Sequence, residues 1–232
     1  MTGRSAVLQG AREAAGVPAA VLLAGYIGFG ALAAGHGLPL GAIVVSTVAV
    51  WALPAQLILV EMHTVGAPFA ITVLAAMLSS ARFLPMTLTL VPMMRHARHR
   101  GWHYLVAAQL LSLTGWAMAM ARFPDIEPAR RLPWFFGFTL VCVVASAAAT
   151  AIGYAVADAI TPQVKIGLVF LAPVYYLLIL LGSVRDRATA YALGCGAVAG
   201  PVAFVYAPEW GVLIAGLGGG TLAYLLLPRR AS

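Results

Sequence analysis

A long apolar run with an arginine near its middle is the feature that most constrains this chain. Residues Gly66–Met94 are almost wholly apolar, yet Arg82 follows Ser79 and Ser80 and precedes Pro85. An arginine at the centre of a membrane helix costs roughly 2.5 to 3.5 kcal/mol on insertion scales. Proline lacks an N–H and disfavours helix at the residue before it, so the run also carries a predicted helix break. Broken backbone at membrane depth is tolerated where it is buried in protein or lines a wet cavity.

The run therefore predicts the wall of a substrate site or pathway, with Arg82 as its charged group. The alternative is that Arg82 lies near a helix end and extends its guanidinium to the membrane surface. As one straight helix the run would be about 40 Å long, against roughly 30 Å for the hydrocarbon core. A re-entrant pair of half-helices and a tilted single helix both fit that length.

The composition is that of a membrane protein. The 232 residues are 62% hydrophobic and 9% charged, with a mean hydropathy of +0.94, whereas soluble domains are about 25% charged. Because no polar stretch is long enough for a soluble domain, residues 1–232 are predicted to form a single membrane-embedded permease domain. The net charge is +7, but basic residues cluster at the ends of apolar runs, most densely at Arg95–Arg100. That placement indicates contact with the headgroups of the lipid bilayer and argues against nucleic acid as a partner.

Eight apolar runs predict an all-α fold, a polytopic transmembrane helical bundle. Prolines interrupt runs in both halves, at Pro54, Pro85, Pro173 and Pro201, and so predict broken or re-entrant helices. Transporters are often built from repeats that carry such helices. If every run crossed once, the basic N-terminus and the Arg95–Arg100 loop would lie on opposite sides, against the positive-inside rule. We therefore expect roughly seven or eight membrane segments, with at least one element that is not a simple crossing.

The motifs of common membrane enzymes and ATPases are missing from the sequence. No Walker A, HExxH or GxSxG pattern occurs, so neither ATP hydrolysis nor hydrolytic catalysis is expected. His96, His99 and His103 share one helical face, but the arginines between them oppose a divalent cation. We interpret these histidines as part of a solvated basic loop. The sequence therefore predicts no catalytic residue, no metal site and no cofactor.

Polar residues near the predicted breaks form the candidate binding site. Its predicted members are Arg82, Gln56, Ser79, Ser80, Gly28 and Gly30. Arg82 or a half-helix N-terminus would take a carboxylate. Carbonyls freed near Pro54, together with Gln56 or Glu61, would take an ammonium group. Such a set suits a zwitterion with an apolar side chain. Two structural alternatives stay open: the glycines serve close helix packing, and Glu61 forms an ion pair with Arg82.

Short motifs recur along nearly the whole chain, at Gly16–Pro18, Tyr26–Gly30, Ala55–Gln56, Ser80–Met86, Trp134–Gly137 and Phe170–Tyr175. Together they resemble the AzlC family, the large subunits of two-component bacterial exporters of branched-chain amino acids. The resemblance implies a multi-pass protein of the bacterial inner membrane that exports hydrophobic amino acids with a small AzlD-like membrane subunit. Proton coupling and a homo-oligomer are compatible with it. The alternative from another class is a non-transporting scaffold or assembly subunit of a membrane complex.

Overall fold

The computed structural model describes residues 3–97, 99–182, 187–206 and 214–227. Within these ranges the secondary structure is helical and contains no β-strand, which confirms the predicted all-α helical bundle. The chain divides into two compact units, Met1–Tyr176 and Leu177–Ser232. The single permease domain over residues 1–232 stays a prediction.

The first ten helices include two that are long and apolar enough to cross a membrane. They are α1 (Gly3–Ala14), α2 (Val17–Gly35), α3 (Leu40–Ala49), α4 (Leu53–Thr64), α5 (Phe69–Ser80), α6 (Phe83–Met94), α7 (Gly101–Gln109), α8 (Leu113–Arg122), α9 (Pro128–Ala155) and α10 (Pro162–Gly182). Among the described residues, these two helices are α2 and α9, judged by length and composition alone. The bent pair α5–α6 is a third candidate membrane span if its two helices form one span. The chain is thus a helical membrane protein, and seven or eight segments stay a prediction.

The helix α9 is the packing centre of the first unit, because α1 and α2 both lie against it through glycine contacts. A Cβ placed on Gly10 or on Gly137 would overlap a carbonyl oxygen of the opposite helix, and the same holds for Gly30 and Gly153. Small residues allow helix backbones to approach this closely. Gly10 contacts the first part of α9 and Gly30 contacts its last part. The chain therefore proceeds through α1 and α2 in the same direction as α9.

An ion pair fixes the C-terminal end of α1 to the end of α8. Arg122 donates hydrogen bonds from Nε and Nη2 to the two carboxylate oxygens of Glu13, at 3.0 and 2.7 Å. Gln9 donates to the same carboxylate at 3.1 Å. The hydrogen bonds from Arg122 are the main reason that the pKa of Glu13 lies below its ordinary value of 4.5, and they outweigh the opposing effect of burial.

Three consecutive helix pairs of the first unit are broken near their middle. The breaks lie at Val50–Ala52 between α3 and α4, at Ala81–Arg82 between α5 and α6, and at Leu110–Ser112 between α7 and α8. The α5–α6 pair bends by 49°. The sequence predicted the first two breaks from Pro54 and Pro85, and each proline lies in the first turn of the second helix. A helix tolerates proline in its first turn because the N–H there has no intrahelical partner.

Two other predicted interruptions are wrong. Pro173 lies inside the continuous helix α10, and Pro201 lies inside α11 (Arg187–Tyr206). Proline in a membrane helix is tolerated when neighbouring groups and local adjustments satisfy the freed carbonyl, so it need not end the helix. The broken pairs are therefore found in the first unit, and the two later prolines do not extend the predicted repeat.

The second unit contains α11, a π-helical turn (Ile214–Gly218) and α12 (Gly219–Leu226) among its described residues. The contact between α11 and α12 includes Gly219, where an added Cβ would lie 3.4 Å from the Cβ of Ala199. This spacing is ordinary van der Waals contact, so the pair packs less tightly than the glycine contacts along α9.

Candidate functional site

A cavity of about 310 Å³ lies where the three helix breaks meet α2. Its lining residues, all from the first unit, are Val21, Leu22, Gly25, Tyr26, Trp51, Ala52, Leu53, Pro54, Leu57, Arg82, Phe83, Ser112, Leu113 and Val169. Binding pockets for small ligands span roughly 300 to 1,000 Å³, so this volume suits a ligand as small as one amino acid. We call it the Arg82 cavity.

The charge in the Arg82 cavity comes from Arg82, which lies between α5 and α6. Its guanidinium lies over the ring of Phe83, with 5.4 Å from Cζ to the ring centroid. Every other described lining residue is uncharged and most are apolar. A positive charge in such surroundings acts more strongly on a ligand than it would in water, because the local dielectric constant is low.

Helix starts add to the positive potential of the Arg82 cavity. Each break contributes the first residues of its second helix: Leu53 for α4, Phe83 for α6 and Leu113 for α8. The N-cap of α4 is Ala52, which offers no side-chain acceptor to the first amides of that helix. Helix N-termini carry about half a positive charge and favour anionic groups. The cavity therefore suits a carboxylate near Arg82 and an apolar group elsewhere.

Trp51 holds the first break in an unusual backbone conformation. Its φ is 40°, in the left-handed region that non-glycine residues rarely adopt, and its side chain is only 3% exposed. The indole Nε1 donates a hydrogen bond to Ser146 Oγ of α9 at 3.3 Å. Gln109 of α7 donates to the carbonyl of Ala49, the last residue of α3. Contacts with α9 and α7 thus stabilise a break that has a strained residue at its centre.

Gln56 lies in the wall of a second cavity, of about 360 Å³, which we call the Gln56 cavity. Its side chain is fully buried, and Nε2 donates to Ser46 Oγ at 3.0 Å and to Thr47 Oγ1 at 3.1 Å. The Thr47 hydroxyl lies in turn 3.1 Å from that of Thr150 on α9. No described residue donates to the amide oxygen Oε1 of Gln56. The described linings of the two cavities share no residue, so Gln56 and Arg82 face different spaces.

The other predicted site residues lie outside the described linings of both cavities. Ser79 and Ser80 end α5 and are half-buried, and Glu61 is exposed in the last turn of α4. Gly30 packs against α9, and a Cβ on Gly28 would lie 2.9 Å from the carbonyl oxygen of Lys165. Helix packing alone thus accounts for the glycines. As binding residues, these five stay predictions.

The sequence reasoning missed several residues of these walls. Tyr26 and Phe83 belong to quoted motifs, yet a motif does not reveal which side of a helix faces a cavity. Trp51 carried a usable signal, because it is an aromatic residue immediately before a predicted helix break. Ser112 carried another, since a serine before an apolar run is a common N-cap, and its Oγ accepts a hydrogen bond from the amide of Gly115 at 3.1 Å.

A helical membrane protein whose broken helices begin around a ligand-sized cavity has the architecture of a membrane transporter. The chain belongs to the AzlC family: the family model described as AzlC protein matches residues 19–160, more than half of the chain. This family is linked to branched-chain amino acid transport and is a transporter-type family rather than an enzyme family. No curated protein and no solved structure matches the chain. The matched range contains the described lining of both cavities apart from Val169.

Proposed function

We propose that this protein is the large subunit of an exporter of branched-chain or similar hydrophobic amino acids in the bacterial inner membrane, and that the substrate binds in the Arg82 cavity. The observation that carries the proposal is the convergence of Arg82 and three helix starts on one mainly apolar cavity. Membership of the AzlC family supports the substrate class.

In this proposal Arg82 and the start of α4 bind the carboxylate of the amino acid. The guanidinium presents parallel N–H groups that match a carboxylate, and the N-terminus of α4, whose N-cap Ala52 offers no side-chain acceptor, adds a partial positive charge. Charge-assisted hydrogen bonds of this kind contribute about 1.5 to 3 kcal/mol each. A ligand without a carboxylate would not form these charge-assisted hydrogen bonds and would bind weakly.

The aliphatic side chain of the substrate lies against the apolar part of the wall. Leu57, Leu113 and Val169 supply aliphatic surface, and Tyr26 and Phe83 supply aromatic surface. Burying a leucine or valine side chain contributes about 1.5 to 3 kcal/mol. A polar side chain would lose its hydration there without a comparable number of partners, so the wall favours hydrophobic amino acids.

The remaining parts of the proposal rest on the family alone. A small AzlD-like membrane subunit completes the exporter, export uses the proton gradient, and the chain spans the membrane several times. A homo-oligomer is compatible with this assembly. Co-purification of a tagged chain with the small subunit from the same membrane tests the partner directly, and recovery of the chain alone after mild solubilisation contradicts it.

Export of radiolabelled leucine and valine from cells that carry the partner subunit tests the site. Arg82→Ala should lower export at least tenfold at unchanged protein abundance, because the carboxylate loses its charged partner. Arg95→Ala is the matched control, since Arg95 is exposed just after α6 and lies outside the described linings of both cavities.

Unchanged export by Arg82→Ala at normal abundance contradicts the role of this residue. The scaffold alternative predicts a different result, in which an Arg82→Ala, Gln56→Ala double variant loses only abundance or partner binding. Transport activity normalised to the amount of protein in the membrane separates these two functions.

A further inference from the structure

The Gln56 cavity contains a buried hydrogen-bond acceptor whose orientation is fixed. Ser46 Oγ and Thr47 Oγ1 each donate to the carbonyl of Ile43, at 2.8 and 2.9 Å, and so present lone pairs to Gln56. The Gln56 amide meets them with its two N–H groups. Reversing the amide would leave two buried N–H groups without acceptors in place of one oxygen. Oε1 is therefore the polar atom of Gln56 that is left for a ligand.

The surroundings of Oε1 favour a positively charged donor. Ser46 and Thr47 belong to the last turn of α3, which ends at Ala49. Carbonyl groups at the C-terminus of a helix carry a partial negative charge of about half a unit and stabilise cations. The described lining of the Gln56 cavity contains no Lys or Arg, whereas the Arg82 cavity contains Arg82. The two cavities therefore differ in the charge of the group that each can hold.

The Gln56 cavity also provides a route to this acceptor. Its wall follows α4 from Gln56 to His63 and continues to Ala67 and Phe69 at the beginning of α5. The distance from Gln56 to His63 along the helix is about 10 Å. His63 and Phe69 are exposed, whereas Gln56 is fully buried. The cavity thus runs from the exposed C-terminal end of α4 to the buried side chain of Gln56 near the beginning of that helix.

We propose that the Gln56 cavity is a second binding site, which takes a primary ammonium group through Gln56 Oε1. The apolar wall, which includes Phe29, Ile43, Leu59 and Val60, accepts an aliphatic chain attached to that group. The inference rests on the proposed function only in naming the transported amino acid as the natural source of the ammonium group. A free alkylamine presents the same chemistry to the site.

Two analogues of leucine, each lacking one of its two charged groups, distinguish this site from the Arg82 cavity. Isopentylamine keeps the ammonium group and the aliphatic chain but has no carboxylate, whereas isocaproate keeps the carboxylate and the chain but has no amine. Binding of each compound to the purified full-length protein in lipid nanodiscs is measured by calorimetry. Wild-type protein should bind both compounds, and each should bind without displacing the other.

Substitutions should separate the two sites. Gln56→Leu removes the acceptor at similar side-chain volume and should weaken isopentylamine binding about ten- to a hundredfold, with isocaproate binding unchanged. Arg82→Ala should do the reverse. Gln56→Glu places a charged acceptor at the same position and should strengthen isopentylamine binding, a gain that misfolding cannot produce.

The experiment separates failure of this inference from failure of the proposed function. Isopentylamine that does not bind, or that binds Gln56→Leu as well as wild type, overturns the second site and leaves the role of Arg82 intact. Isocaproate that binds equally to wild type and Arg82→Ala overturns the Arg82 site without affecting the Gln56 cavity. Leucine carries the ammonium group in its natural form, so it should compete with isopentylamine for the wild-type protein. Lack of competition shows that the Gln56 cavity binds free amines only, and overturns its proposed role in amino acid binding.

Discussion

Trp51 Nε1 donates a hydrogen bond to Ser146 Oγ at 3.3 Å, so the break between α3 and α4 is attached to the central helix α9. The bond joins the side chain of Trp51, whose backbone φ is 40°, to a serine that is itself fully buried. Because the same tryptophan lines the Arg82 cavity, the shape of that cavity depends on a contact made with α9.

Ser146→Ala should destabilise the protein by about 1 to 3 kcal/mol, because it leaves the buried indole N–H without an acceptor. Thermal unfolding of the purified protein in one detergent measures the change. Ser79→Ala is the control, since Ser79 is half-buried and lies outside the described linings of both cavities. Equal melting temperatures for Ser146→Ala and wild type show that the bond does not stabilise the break.

Gly30→Ala should disturb the contact between α2 and α9. The new methyl group would overlap the carbonyl of Thr150, so the helices must separate, and overpacking of this kind costs about 1 to 3 kcal/mol. Gly35→Ala in the same helix has open space around the added Cβ and should be neutral or slightly stabilising. Protein abundance and thermal unfolding compare the two variants, and similar behaviour of both contradicts the tight contact.

Arg82→Lys should lower export less than Arg82→Ala does. Lysine keeps the positive charge but cannot form the paired hydrogen bonds that a guanidinium offers a carboxylate, so we expect roughly tenfold weaker substrate binding. The change should appear mainly as a higher KM for export from cells or vesicles. An equal loss in the lysine and alanine variants means that hydrogen-bond geometry, rather than charge, determines binding.

The ion pair between Glu13 and Arg122 should make stability depend on acid pH. Hydrogen bonds from Arg122 lower the pKa of Glu13 in the folded protein below its ordinary value of 4.5. The ionised carboxylate therefore stabilises the fold above that value, and the contribution is lost as the pH falls through the lowered pKa. Thermal unfolding between neutral pH and about pH 3 should show a smaller loss for Glu13→Gln than for wild type. Parallel pH profiles for the two proteins exclude this contribution.

The sequence predicted the membrane class, the helical fold and two of the three breaks, because these follow from local chemistry. Apolar content favours membrane helices, and proline, which has no backbone N–H, weakens the helix near it. Both effects are local and do not depend on the tertiary fold. The break before Ser112 was not predicted, since it has no proline, and the interruption at Pro173 was predicted wrongly, since a membrane helix can contain a proline. The separation of Gln56 from Arg82 was also not predictable, because it depends on which faces of α3, α4 and α6 turn towards each space.

The wall of the Arg82 cavity has one part that is tightly packed against the rest of the first unit and one part that is loosely packed. Trp51 belongs to a break that is bonded to α9, and α9 meets α1 and α2 with no room for a methyl group. Arg82 follows α5, a helix none of whose residues is buried. The helix α6 is attached to the rest of the unit, because Thr89 Oγ1 accepts a hydrogen bond from Trp116 of α8 and the carbonyl of Met93 accepts one from Arg131 of α9. A displacement of α5 would therefore move the guanidinium of Arg82 and change the size of the cavity on that side.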